Sequence, residues 1–349
     1  MRVLYGVTGE GLGHAMRSRV MADHLRDSGH EVKLVASGRA HGYLSRYADD
    51  VQLIPGFAMA YRDGEVSRSR TVSALRRSVR PAIRQTIELY RRAISGFQPD
   101  VCISDFDSFS HVFGKLFGRP VISLDHQHVI DRCEHGERVK QRLPRDFRLT
   151  KAIVRAKLPG CAHYVVTSFY FPQPKLRCRS RTTLVGPILR PEVMSLAPEL
   201  GDHVLVYQTA HATAALVAAL RAIPERRFVV YARDGGGEIL GNVSIRAFDE
   251  RRFLEDLATA RGVICNGGYT LMSEALHLGK PVLSTPLRHQ GEQELNAAYL
   301  AELGLGVALP RIDVDAIRRF VHAPVTVARV AAGNAQACST IDRLLKEVR

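Results

Sequence analysis

Gly9-Glu10-Gly11-Leu12-Gly13-His14 joins a short apolar run to a helical pattern. Glycines at such a turn admit positive φ and let a ligand or a second backbone approach closely, so Gly11 and Gly13 are candidates to line a bound substrate. The dinucleotide fingerprint G-x-G-x-x-G fails here, because His14 stands where its third glycine belongs. It fails again after the second strand, where Val35-Ala36-Ser37-Gly38 offers no acid for a ribose. What remains is an imidazole at a helix start. The positive helix end disfavours imidazolium, so His14 can serve as a general base; a capping role is the alternative. Asp105 and Asp107 follow a later strand and form a D-x-D pair. With no further acidic or histidine ligand near them, metal binding is not expected, and either acid could cap a helix. Leu124-Asp125-His126-Gln127-His128 closes the next strand, making Asp125 and His126 further candidates to bind substrate.

A second glycine turn, Asn266-Gly267-Gly268-Tyr269-Thr270, follows Val263-Ile264-Cys265 and opens a helix carrying Ser273 and Glu274. Backbone N–H groups at such a helix start bind phosphate without a lysine. The next strand leads into a polar stretch, Pro286–Ala297, that contains Glu292 and Gln293. One carboxylate on the helix and an acid–amide pair on this loop could hold the hydroxyls of a ribose and a hexose.

These residues need elements to position them. Arg2–Val7, Glu31–Ala36, Val51–Ile54, Val101–Ser104, Val121–Leu124 and Tyr164–Thr167 read as strands, with a helix over Met16–Asp27. A loose segment from Val185 through Pro191 to Gly201 interrupts the rhythm. It restarts with strands at His203–Gln208, Arg227–Ala232, Val243–Ala247, Gly262–Cys265 and Pro281–Thr285, separated by helical patterns. Two successive doubly wound α/β domains follow, with ligands at the carboxyl ends of the strands and a cleft between the domains.

The stretch from Phe248 to Gly306 resembles the nucleotide-sugar signature of GT-B glycosyltransferases. It is similar to the donor motif of plant and bacterial UDP-glycosyltransferases and of the lipid I N-acetylglucosaminyltransferases of peptidoglycan synthesis. The shared frame is Gly268, Ser273-Glu274-Ala275, Gly279-Lys280-Pro281, Pro286 and Glu292-Gln293-x-x-Asn296-Ala297, and the opening turn ending in His14 matches as well. The resemblance implies two Rossmann-like domains, an acceptor domain over 1–187 and a donor domain over 188–325, with a helix over 326–349 returning across both. It implies Glu274 on the ribose, Gly267 and Gly268 on the diphosphate, and Glu292 with Gln293 on the donor sugar. Phe248 would lie beside the base, and Gln208 and Thr209 near the phosphates. Asn266 stands where the plant motif has a phosphate-binding histidine, so that contact is expected without charge. Asp105 would orient His14, and Gly11, Gly13, Asp125 and His126 would face the acceptor.

The 349 residues carry a net charge of +14. Residues 1–190 hold 32 Lys and Arg against 17 Asp and Glu, whereas residues 191–349 hold 17 against 18. The excess lies mainly in two runs, nine arginines from Arg62 to Arg92 and eight basic residues from Arg138 to Lys157, each interleaved with apolar residues. That pattern suits an anionic membrane surface or acceptor; a solvated helix face is the bland reading. Specific nucleic-acid binding is not expected, for lack of a reading module or stacking aromatics. The six scattered cysteines read as free thiols in a cytoplasm, and neither a signal peptide nor a membrane span is visible. The expectation is an inverting, metal-independent transferase moving sugar from a nucleotide sugar, with UDP as the expected nucleotide, to a lipid-linked or anionic hydroxyl acceptor. It would work in the cytoplasm, peripherally on the inner face of the membrane, without a cofactor. A GT-B nucleotide-sugar 2-epimerase would share the fold without needing a basic acceptor face. A non-catalytic binder of nucleic acid or membrane would not need the donor loop.

Overall fold

The computed structural model describes residues 1–56, 61–62, 65–66, 87–90, 94, 96–208, 214–232, 236–323 and 327–348. The chain divides into two compact units, one of Met1–His135, Asp146–Arg190 and Ala332–Arg349, the other of Gly136–Arg145 and Pro191–Ala331.

The first unit is built on strands β1 (Arg2–Val7), β2 (Glu31–Ala36) and β3 (Val51–Leu53). A two-residue antiparallel pair, β4 (Tyr61–Arg62) and β5 (Glu65–Val66), stands apart from the main sheet. The sheet continues with β6 (Val101–Asp105), β7 (Val121–Asp125), β8 (His163–Thr167) and β9 (Thr182–Val185). Its order is β3-β2-β1-β6-β7-β8-β9 and every pairing is parallel. β6 and β7 are buried at every position, as a strand covered on both faces must be. Each extends one residue beyond its apolar run, so Asp105 and Asp125 lie within the strand ends.

Val3, Tyr5 and Val7 of β1 share their core with Met21 and Leu25 of the helix Leu12–Asp27. Ala337, Ile341, Leu344 and Leu345 of the last helix, Asn334–Glu347, fill the same core. That helix is tied down at its start, where the Asn334 side chain exchanges hydrogen bonds with the backbone of Leu189 at 2.9 and 2.7 Å. The C-terminal helix is thus an integral layer of the first unit.

The second unit holds β10 (His203–Tyr207), β11 (Arg227–Tyr231), β12 (Ile239–Leu240), β13 (Val243–Arg246), β14 (Gly262–Cys265), β15 (Val282–Ser284) and β16 (Gly306–Ala308). The order is β12-β13-β11-β10-β14-β15-β16, all parallel except the edge strand β12. Val204, Val206, Phe228, Val230, Ile264 and Leu283 form its core with Leu216, Leu220 and Ile317. Gly136–Arg145 belongs to this unit although it lies inside the first half of the sequence. Its helix Glu137–Arg142 packs on the helix Gly291–Glu302, with Arg138 3.8 Å from Glu302. The expected division near residue 187 contains no such excursion. Only Val139 of that helix is buried, so its local pattern carries almost no information about where it docks.

Candidate functional site

In the first unit the strand order reverses between β1 and β6, and Val7 pairs with Asp105 in register. A reversal of this kind leaves a crevice at the carboxyl ends of the two strands. The glycine turn follows Val7 directly. Gly9 donates its N–H to Ser37 Oγ at 2.9 Å, and a Cβ on Gly9 would fall 2.2 Å from the Ser37 carbonyl oxygen. The turn is therefore pressed against the end of β2, and the helix Leu12–Asp27 starts at once, capped by Gly11 without a side-chain bond. His14 falls in its first turn, with Arg17 and Ser18 one turn further on the same face.

These three side chains converge on Asp105, which is fully buried. His14 Nδ1 lies 2.7 Å from Asp105 Oδ1, Arg17 donates from Nε to Oδ2 at 2.7 Å and from Nη2 to Oδ1 at 2.5 Å, and Ser18 Oγ donates to Oδ2 at 2.9 Å. Arg17 Nη2 also lies 2.7 Å from His14 Nδ1. Placing the proton on Nδ1 directs it, with the Arg17 N–H, at Oδ1 and avoids lone-pair repulsion between Nδ1 and the carboxylate. The opposite nitrogen is then the basic one. His14 Nε2 lies 3.2 Å from the Gln127 side-chain amide nitrogen. An imidazole oriented by a buried carboxylate through Nδ1, with a lone pair on Nε2, is equipped to take a proton from a hydroxyl.

The surroundings add charge and strain. Phe106, immediately after Asp105, has φ of 52°, a left-handed conformation unusual for a bulky residue and common near functional sites. Lys157 Nζ lies 4.1 Å above the Phe106 ring, and burial pushes its ammonium below the usual lysine range, opposed by the charges of Glu10, Asp107, Asp125 and Asp105. Asp107 caps the helix Ser108–Leu116, accepting from Ser110 N at 2.8 Å and Ser110 Oγ at 2.9 Å, and burial raises its carboxyl. The two acids of the D-x-D pair therefore bind separate protein donors.

Asp125 and His126 are fully buried. Burial would raise the Asp125 carboxyl, but the His128 imidazole and hydrogen bonds from His128 and Ser123 hold it well below the usual carboxylate range. His126 bonds the Thr167 carbonyl through Nδ1 at 2.8 Å and lies 3.4 Å from the Tyr170 hydroxyl through Nε2. It is Gln127, lying in sequence between His126 and His128, that reaches His14. Gly11 has open space where a Cβ would stand, and Gly13 is half-buried. Arg17 and Gln127 were not singled out from the sequence. Only the i, i+3 spacing of His14 and Arg17 hinted at the first, and nothing local marked the second.

The second unit repeats the arrangement. Its order reverses between β10 and β14, whose ends pair Tyr207 with Cys265, so Gln208 and Asn266-Gly267-Gly268 occupy adjacent strand ends. Gly267 has φ of 94°, and a Cβ there would lie 2.9 Å from Ser284 Oγ and 3.0 Å from the Gln293 carbonyl oxygen. Asn296 donates to the Gly267 carbonyl at 3.1 Å and Asn266 to that of Thr285 at 3.3 Å, fixing the turn from both sides. Gly268 then starts the helix Tyr269–His277 with no side-chain cap and open space above its Cα, leaving first-turn N–H groups suited to an anion.

Glu274 is buried on that helix, and Glu292 is half-buried in the first turn of the helix Gly291–Glu302. Gln293 is buried, and its side-chain oxygen accepts from Leu287 N at 3.0 Å, bracing the preceding loop. Phe248, 38% exposed, packs edge-on against Tyr207 and Tyr231 with centroids 6.3 and 6.4 Å away, an aromatic wall beside the same strand ends. Thr209 lies outside the described residues. Lys280 of the Gly279-Lys280-Pro281 frame is buried, donates to the Glu199 carbonyl at 2.5 Å, and is pushed down to about 8 by desolvation.

Most of the basic run 62–92 lies outside the described residues. The run 138–157 is split, Arg138–Arg145 with the second unit and Asp146–Lys157 with the first. On the helix Phe147–Lys157 the exposed face presents Arg148, Leu149, Ile153 and Arg155. Among the described residues no helix is long and apolar enough to cross a membrane.

Two doubly wound units, one with a histidine–carboxylate pair and the other with a glycine-walled anion turn, define the chain as a GT-B α/β protein. The model of glycosyl transferase family 1 matches residues 1–324, and the chain belongs to that family and is a glycosyltransferase. An uncharacterized glycosyltransferase of Methanosarcina mazei is 24% identical over 92% of this chain and 90% of its own. The UDP-N-acetylglucosamine–N-acetylmuramyl-(pentapeptide) pyrophosphoryl-undecaprenol N-acetylglucosamine transferase of Sinorhizobium medicae is also 24% identical, over 96% and 90%. Among solved structures, the glycotransferase of kitacinnamycin superposes with a TM-score of 0.67 at 17% identity over 98% of both chains. Arabidopsis thaliana UGT89C1 complexed with UDP-L-rhamnose superposes with 0.64 at 17% identity over 99% of this chain and 95% of that one.

Proposed function

We propose that this glycosyltransferase moves a sugar from a UDP-sugar to a hydroxyl acceptor with inversion and without a metal. The observation that carries the reading is the 2.7 Å contact of His14 Nδ1 with buried Asp105, which leaves Nε2 as the basic atom. Nε2 takes the acceptor proton as the acceptor oxygen forms its bond to the anomeric carbon. The bond from that carbon to the diphosphate oxygen breaks on the opposite side, which inverts the centre. The amides at Gly267 and Gly268 receive the departing charge, Glu274 holds the ribose, and Glu292 meets the donor sugar. Gln293, already bonded to Leu287 N, supports the loop that presents it.

The UDP assignment is supported by the relative that uses UDP-N-acetylglucosamine and by the structural neighbour complexed with UDP-L-rhamnose. Metal independence is supported by the separate commitments of Asp105 and Asp107. A lipid-linked or otherwise anionic acceptor is favoured by the undecaprenol-linked substrate named for the Sinorhizobium relative. The exposed Leu149 and Ile153 beside Arg148 and Arg155 support peripheral contact with an anionic membrane at the cytoplasmic face.

Incubation with UDP-, GDP- and dTDP-sugars and a polyprenyl-diphosphate-linked acceptor, in buffer containing EDTA, tests the reading. Proton NMR of the product should show the anomer opposite to that of a UDP donor. A product of retained configuration, or a rate abolished by EDTA and restored by manganese, would refute it.

A further inference from the structure

We propose that Arg17 is a positioning residue that clamps Asp105 and balances its charge, so that the carboxylate orients the His14 ring instead of holding it as a counter-ion. The proposal rests on the reading of His14 as the base. Arg17 is buried with Asp105, and its guanidinium grips both carboxylate oxygens, at 2.7 Å through Nε and 2.5 Å through Nη2. A fully buried carboxylate stays ionised only where a cation or several donors offset its desolvation; otherwise it protonates. If Arg17 were absent, the nearest group able to supply that charge would be His14 itself, 2.7 Å away. The imidazole would then hold its proton as half of an ion pair and could accept no other. With the guanidinium in place the charge of the carboxylate is balanced, and its remaining role toward His14 is to accept the hydrogen bond from Nδ1–H and fix the ring.

Lys157 on the helix Phe147–Lys157 acts electrostatically on Asp105, and also on Glu10 of the glycine turn, Asp107 after β6 and Asp125 at the end of β7. Tyr5 on β1 stays protonated, its hydroxyl raised by burial and by Asp105. Arg17 is fixed one turn after His14 on the same helix, so the spacing that presents the imidazole also delivers its counter-charge.

The test is long-range proton–nitrogen NMR of full-length protein labelled at the imidazole nitrogens, titrated from acid to alkaline pH. His14→Gln assigns the signal, and Arg17→Met and Arg17→Lys are compared with wild type. Wild type should carry its proton on Nδ1 at neutral pH. Arg17→Met should bind a proton at His14 at least about tenfold more tightly, a midpoint higher by about one pH unit. Arg17→Lys should recover most of that difference, and the double variant Asp105→Asn/Arg17→Met should abolish it. The acid limb of sugar transfer should move with the midpoint, so that Arg17→Met regains rate at alkaline pH. A folded Arg17→Met whose His14 titrates like wild type, or whose transfer is lost equally at every pH, would overturn the proposal. If Arg17→Met does not fold, Arg17→Lys against the double variant decides by the same titration. Because the titration needs no substrate, a shifted His14 in a protein without transferase activity would sink the base assignment and leave the charge balance standing.

Discussion

At the scale of single residues, the pair His14–Asp105 separates chemistry from binding. His14→Ala should lower sugar transfer by about 10²–10⁴-fold, the usual contribution of a general base, while calorimetry finds nucleotide binding unchanged. Asp125 sits at the matching end of β7 but has a different role, as a charged ligand of His128 inside the unit. Its carboxyl is held below the ordinary value of 3.8, so it contributes stability above that pH and loses it as pH falls toward the depressed value. Asp125→Asn should therefore destabilise most at neutral pH, with a cost that shrinks below about pH 4. Urea unfolding at both pH values measures it, and an equal cost at each would contradict the assigned charge. His14, Asp105 and the glycine turns could be singled out in the sequence because they closely follow apolar strand-like runs. Arg17 and Gln127 were not, because an arginine in a helix and a glutamine in a loop acquire meaning only from what they touch.

At the scale of elements, apolar runs that end in turn residues were readable as strands, whereas the edge strands β9, β12 and β16 were not. β1, β2, β10 and β14 are continuous apolar runs ending in turn residues, and sequence and structure agree on them to within a residue. β9, β12 and β16 have four, two and three residues and are defined mainly by the neighbour they pair with. The helix Gly291–Glu302 starts inside the polar stretch Pro286–Ala297, where the Gln290 side chain caps Gln293 N at 3.0 Å. Two predictions belong to this scale. Gly267→Ala forces a Cβ against Ser284 Oγ and the Gln293 carbonyl at positive φ, so it should cost about 1–3 kcal/mol and weaken nucleotide binding. A stable variant with unchanged binding would show the turn to be tolerant. Leu344→Ala, in the last helix, should cost about 2–5 kcal/mol in thermal or urea unfolding, since its side chain belongs to the core of the first unit. A cost below that range would mean the helix is only loosely docked.

At the scale of the whole molecule, the proposed mechanism divides the chemistry between the two units: a proton acceptor in the first, a glycine turn for the diphosphate in the second. The return of residues 332–349 to the first unit and the excursion of 136–145 to the second tie each unit to sequence far from its own. The excursion was not legible in the sequence, because a six-residue helix with one buried side chain has no pattern of its own. The most direct test of the account is calorimetric titration with UDP-, GDP- and dTDP-sugars of wild type, Glu274→Ala and His14→Ala. The account predicts that UDP-sugars bind wild type and His14→Ala alike and fail to bind Glu274→Ala. Binding that survives Glu274→Ala, or a folded wild type that binds no UDP-sugar, would contradict it.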